Sequence, residues 1–320
     1  MTASPRIMRE CIQIGLIVIA VLTCVLYINF RFSLNLGSQL LSIAKTSDAK
    51  MNCSEHDARL FYVQHPSAKC LDGSSPAYYF RPGQVSRWHI HFEGGGWCYS
   101  IPACYNRSFE RLGSSKDYPT CVEEDVMKDY LSNDPSQNPL MAQWNHVLVK
   151  YCDGASYAGD AIHSYNGQQL FFKGKYNRDE TIKAMLLQHG MKYASDIVIS
   201  GCSAGGLGIY LGIDQMTSII HSVNTSIQVK AISDSGFFSD YSSDEKWMSE
   251  NKYPEALIGN RMDFSQSMRN VFSFANVSAG ANPRCVLKSS SPSSCIFAEN
   301  LAKHITTPLF ALQVMSNLNF

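Results

Sequence analysis

Residues 195–210, SDIVISGCSAGGLGIY, join a short β-branched run to a glycine-rich turn and then to an apolar segment. A chain can bury that combination most simply as a strand feeding straight into a helix. Ile197, Val198 and Ile199 form the continuous apolar run of a strand covered on both faces. Gly201, Gly205 and Gly206 bracket Ser203 and remove Cβ atoms on both sides of the bend, so a sharp elbow can form and the helix can pack close to the strand. A serine at such an elbow stands exposed beyond the strand's C-terminal end, where a nucleophile belongs. Further strands are expected at 77–80, 87–92, 144–151, 227–233 and 307–314, and an amphipathic helix runs from Asn177 to a terminating Gly190. Strands alternating with helical segments predict βαβ units with right-handed crossovers: an α/β fold with a mostly parallel sheet and helices on both faces.

In an open α/β sheet the site lies beyond the C-terminal ends of the strands. Four loops leave strands there: 94–97, 153–156, the elbow with Ser203, and 234–236. Three successive glycines, Gly94 to Gly96, mean that backbone itself must approach something closely. Serine acyl transfer needs a nucleophile and backbone N–H donors aimed at the developing oxyanion. Ser203 is the candidate nucleophile, and the N–H groups of Gly96, Trp97 and Ala204 are the candidate donors. Asp153 and Asp234 either face substrate or cap turns. His89 and His91 alternate along a strand and share a face, a spacing that metal sites use. The pattern supplies them with no third ligand, so packed histidines and no metal are expected. Cys202 reads as a structural or disulfide-bonded cysteine rather than a catalytic thiol.

Lys plus Arg and Asp plus Glu both number 27, so no basic field is available to hold a phosphate backbone and nucleic acid is not an expected partner. Residues 11–30 form an apolar run long enough, at 1.5 Å per residue, to cross the ~30 Å hydrocarbon core of a bilayer. It lacks a small-residue cleavage site, which favours an uncleaved signal anchor over secretion after signal cleavage. The expected organisation is a cytoplasmic segment 1–10, an anchor 11–30, a stem 31–50 and a lumenal or extracellular domain 51–320. Nine of the eleven cysteines follow the anchor, and sequons stand at Asn52, Asn106, Asn224 and Asn276. Both features suit the secretory pathway. An odd number of cysteines leaves either one free thiol or a missing partner.

EGGGWC at 93–98, YCDGAS at 151–156, GCSAGG at 201–206 and SDSGFF at 233–238 together resemble the pectin acetylesterase family, whose animal relatives are the Notum carboxylesterases. KCLDGSSPAYY at 69–79, GSSKDYP at 113–119 and SCIFAENL at 294–301 extend the likeness in the same order. The triple glycine and the Gly-Cys-Ser elbow are closer to the acetylesterase branch. The resemblance implies an α/β-hydrolase-like fold and cofactor-free, metal-independent hydrolysis of carboxylic esters by a Ser-Asp-His triad, with Ser203 as nucleophile and Gly96, Trp97 and Ala204 at the oxyanion. The implied substrate is an acetylated polysaccharide such as pectin; a lipidated protein, as in the Notum branch, is the alternative. The triad acid is expected after the last strand, where Asn317 stands, and the histidine later than Phe320, while His304 precedes that strand. The domain is therefore expected to be incomplete at its C-terminus and inactive as given, or to serve as a membrane-tethered binding protein.

Overall fold

A computed structural model of the chain describes residues 53–313, apart from 55, 124 and 241–262. The apolar run 11–30, the stem 31–50, the sequon at Asn52 and Asn317 lie outside the described residues. Among the described residues no helix is long and apolar enough to cross a membrane.

In chain order the strands are β1 (Ala58–Tyr62), β2 (Ala77–Arg81), β3 (Gln84–Phe92), β4 (Cys121–Val122), β5 (Trp144–Val149), β6 (Ala161–Tyr165), β7 (Gln168–Phe172), β8 (Asp196–Cys202), β9 (Gln228–Asp234) and β10 (Leu309–Leu312). The expected strands form, as β2, β3, β5, β8, β9 and β10, and four more join them among the described residues. Eight of them make one sheet in the order β10-β9-β8-β3-β5-β2-β1-β4. From β10 to β5 every pairing is parallel, and β2, β1 and β4 add on antiparallel. The helices are α1 (Ile101–Arg107), α2 (Gly174–Gln188), α3 (Ala204–Val223), α4 (Phe264–Phe274), α5 (Pro283–Lys288) and α6 (Ala298–Ala302). The architecture is α/β with a mostly parallel sheet, as the alternation of segments predicts.

Side-chain alternation along the strands divides the core. Ile90 and Phe92 of β3, Val147 and Val149 of β5, and Ile197 and Ile199 of β8 face one side, where they meet Ile182 and Met185 of α2 and Ile209, Ile213 and Met216 of α3. The outer side of α3, carrying Leu207, Tyr210 and Leu211, is covered in turn by Met268 and Val271 of α4 and Leu301 of α6. A 20-residue helix that is apolar on most sides is stable here because sheet and helices enclose it from both directions. Among the described residues these helices lie on one face. The other face presents His89, His91, His146 and Ser200, and its β1–β2–β5 side is covered by Met127 and Leu131 packed on Tyr79 and Leu148.

Two local features went beyond expectation. β6 and β7 pair as an antiparallel hairpin about Asn166 and Gly167, with φ of 48° and 77°, the double positive φ of a type I′ turn. Among the described residues four disulfides join Cys53–Cys121, Cys70–Cys152, Cys98–Cys104 and Cys285–Cys295. Cys202 is the free cysteine among the described residues; of its two readings, structural or disulfide-bonded, the disulfide one does not hold, and the odd count is met by one free thiol. At the end of β8 its side chain lines an open cavity, where no second cysteine stands among the described residues.

Candidate active site

Ser203 sits at φ 55° and ψ −121° between β8 and α3, a backbone conformation that costs an L-residue of order 1–3 kcal/mol and persists only where its surroundings enforce it. The enforcement comes from both sides. Its N–H donates to the carbonyl of Asp234 at the end of β9 (2.9 Å), and its own carbonyl accepts the N–H of Leu207 (2.9 Å), opening α3. Glycines make the approach possible. A Cβ on Gly201 would overlap the carbonyl of Gly205, one on Gly205 would overlap that of Phe92, and one on Gly206 would lie 2.8 Å from the oxygen of Asp234. Ser203 is half-buried, and its hydroxyl has no hydrogen-bond partner among the described residues.

The glycine loop lies directly against it: a Cβ on Gly94 would come within 3.1 Å of Ser203 Cβ. Gly95 and Gly96 have φ of 149° and 64°, and a Cβ on Gly96 would meet nothing within 4 Å, so open space borders this backbone. Three carbonyls at and beside the loop are engaged by side chains. Tyr157 Oη donates to the carbonyl of Glu93 (2.9 Å), Arg107 to that of Gly95 (2.8 Å) and Tyr151 Oη to that of Gly96 (3.0 Å). Trp97 Nε1 donates to Ser156 Oγ (2.8 Å), which donates to the carbonyl of Ala204 (2.7 Å), so the glycine loop, the loop after β5 and the start of α3 are tied together. Edge-on contacts with Phe238 and Phe264 fix the other side of the Trp97 ring.

Asp153 is wholly buried and caps its own loop, accepting the N–H groups of Ala155 (3.2 Å) and Tyr157 (3.1 Å). Of the two roles open to it from sequence, turn-capping is the one observed. Burial pushes its carboxyl up to about 6 despite those hydrogen bonds. Asp234 stays at the site. Its carboxylate accepts from Tyr130 Oη (3.1 Å) and Ser235 Oγ (2.9 Å). It borders a cavity of about 320 Å³ shared with His91, Glu93, Gly94, Tyr130 and Cys202. Burial, helped by the Asp234 carboxylate, raises the Cys202 thiol, which keeps it protonated and a poor nucleophile.

His89 and His91 share a face as expected, and both turn to Ser200: His89 Nε2 and His91 Nδ1 lie 2.7 and 2.8 Å from its Oγ. Burial lowers His91 to about 4 and His89 well below its ordinary value. Among the described residues, the group that could hold a metal is Cys53, Asp57 and Cys121, and both of its sulfurs are in a disulfide. No imidazole or carboxylate hydrogen-bonds to Ser203 Oγ among the described residues, and His304 precedes β10, on the side of the parallel strands' N-terminal ends, while the elbow lies beyond their C-terminal ends.

The structure therefore brings Ser203, Gly96, Trp97 and Ala204 to one edge; it adds Arg107 and Tyr157, which sequence reasoning missed, and gives roles to Tyr151 and Ser156, which it had quoted only within a motif and a strand-end loop. Ser156 and Tyr157 had a signal, since they follow Asp153-Gly154 at a strand end. Arg107 had none.

A family model described as pectinacetylesterase matches residues 51–317. Pectin acetylesterase 5 of Arabidopsis thaliana is 35% identical over 247 residues, covering 76% of this chain and 53% of that protein. The palmitoleoyl-protein carboxylesterase notum2 of Xenopus laevis is 27% identical over 264 residues, covering 81% of this chain and 52% of that protein. Among solved structures, the Wnt deacylase Notum from Drosophila superposes with a TM-score of 0.68 at 23% identity, over 80% of this chain and 71% of that one; at that identity the likeness speaks to the fold. The chain spans between about half and two thirds of the length of the curated relatives it matches most strongly.

Proposed function

The chain belongs to the pectinacetylesterase family, and from that premise we propose that it is a serine carboxylic ester hydrolase with Ser203 as its nucleophile. The observation that carries the reading is the elbow. A serine held at φ 55° and ψ −121°, with an unengaged hydroxyl and a glycine loop in van der Waals reach, is strained toward one use. Ser203 Oγ attacks the acyl carbon and forms a C–O bond as its proton passes to a base. The carbonyl oxygen becomes an oxyanion facing the N–H groups of Gly96, Trp97 and Ala204. The ester C–O bond then breaks, the alcohol leaves with a proton, and water releases the acid from the acyl-serine. The base is the part of this reaction that the described residues leave unassigned.

The substrate class we infer is an acetylated polysaccharide. Pectin acetylesterase 5 of Arabidopsis, at 35% identity against 27% for notum2, supports that order of preference over a lipidated protein. Eight cysteines paired in four disulfides support folding in the secretory pathway, with residues 11–30 as the membrane tether. Incubating the full 320-residue chain with a fluorophosphonate probe tests the nucleophile. The expected result is labelling that disappears in Ser203→Ala, because the probe reacts with an activated serine hydroxyl. Labelling that survives Ser203→Ala would overturn the assignment.

A further inference from the structure

We propose that Arg107 and Tyr151 are positioning residues that aim the N–H groups of Gly96 and Trp97 at the oxyanion; this rests on the reading of Ser203 as nucleophile. In a trans peptide the carbonyl and the following N–H point in opposite directions within one plane, and no described peptide bond is cis. The carbonyl of Gly95 and the N–H of Gly96 belong to one plane, and the carbonyl of Gly96 and the N–H of Trp97 to the next. Arg107 takes the first carbonyl at 2.8 Å and Tyr151 Oη the second at 3.0 Å. Anchoring those two oxygens inward turns the two N–H groups outward, and neither donates to an acceptor among the described residues. The two peptide planes so fixed are those of the two loop donors.

Such anchoring is needed because glycine offers little resistance to rotation. With no Cβ at 94, 95 or 96, a flip of either peptide would exchange N–H for C=O and present a negative end to the oxyanion. The anchors are themselves rigid. Arg107 Nε donates to the carbonyl of Leu112 (3.1 Å), and its guanidinium lies over the ring of Tyr151, 5.3 Å from the centroid. Tyr151 is wholly buried, its hydroxyl also accepts the N–H of Ser156 (3.0 Å), and burial raises its phenol so that it stays a donor. The Cys98–Cys104 disulfide ties the end of the glycine loop to α1, the helix whose last residue is Arg107.

Methylboronic acid tests this without needing a general base. Its boron takes Ser203 Oγ as a fourth ligand while the serine proton goes to solvent, giving a tetrahedral anion in the place of the oxyanion. In the full chain, Tyr151→Phe and Arg107→Gln should each weaken its equilibrium affinity about 10-fold, a fraction of the 10²- to 10³-fold that losing a donor costs. The amide ¹H shifts of Gly96 and Trp97 that boronate induces in the wild type should shrink in both variants, and Arg107→Lys should restore part of the affinity. Arg107 is only half-buried, so its variants fold even where Tyr151→Phe does not. Wild-type affinity in a folded Arg107→Gln, or weakened binding with the amide shifts retained, would overturn the positioning role. Equal binding by wild type and Ser203→Ala would instead overturn the nucleophile on which it rests.

Discussion

Replacing Asp153 by asparagine should change the pH dependence of stability in a direction opposite to that of most carboxylates. Asp153 is wholly buried, and its carboxyl rises from 3.8 to about 6, burial outweighing the N–H groups of Tyr157 and Ala155 and the charge of Arg107. A carboxyl raised on folding binds its proton more tightly in the folded than in the unfolded chain, so its contribution is largest below pH 3.8 and is lost as pH rises through about 6. At about 1.4 kcal/mol per pH unit, the interval is worth about 3 kcal/mol. Asparagine cannot titrate. It sacrifices one acceptor, which is a constant offset, so relative to the wild type Asp153→Asn should gain most of that ~3 kcal/mol between pH 4 and pH 7. Urea unfolding of both proteins across that range measures the difference. Carboxylates held low by hydrogen bonds, such as Asp72 and Asp214, titrate the other way but cancel in the comparison. A difference that stays flat, or that moves in favour of the wild type as pH rises, would refute the claim that burial dominates at this position.

Gly94→Ala puts a Cβ 3.1 Å from Ser203 Cβ and into the carbonyl oxygen of Cys202; displacing the loop should weaken methylboronate binding at least ~10-fold, read by isothermal titration. Gly96→Ala meets no atom within 4 Å and should lose only the ~1–2 kcal/mol of a left-handed alanine in urea melts. Gly205→Ala would gain ~1 kcal/mol of helix propensity but overlaps the carbonyl of Phe92 and comes within 2.8 Å of that of Glu93, so a net loss of about 2 kcal/mol is expected by thermal unfolding. Asn106 and Asn276 are exposed, so protein from a secretory host should lose mass with an endoglycosidase, and Asn106→Gln should remove one glycan; unchanged mobility would count against the lumenal assignment.

The elements that were legible were those whose evidence is local. The strand-turn-helix at 196–223, the strand before the glycine loop and the terminating Gly190 each follow from a few adjacent side chains: an apolar run, missing Cβ atoms, a left-handed cap. The β6–β7 hairpin was equally local, with Asn166-Gly167 between alternating apolar residues, and was readable by the same rule. The short β1 carries no comparable pattern and became a strand only by pairing with β2 and β4.

Sequence alone determined the α/β class, the candidate serine and the loop glycines, because turn conformation and buried-strand composition are enforced residue by residue. Only the tertiary structure decided what surrounds them. Cys202 stayed free because the other eight described cysteines found partners as near as 6 and as far as 82 residues away. Asp153 became a buried cap because its loop folds under the glycine loop. Arg107, on a short helix between two loops, reached Gly95 because β3 and β5 lie side by side and α1 is tied beside them. Such roles depend on which distant segments the strand order brings together, and a pairing set by packing across the sheet leaves no trace in the residues on either side.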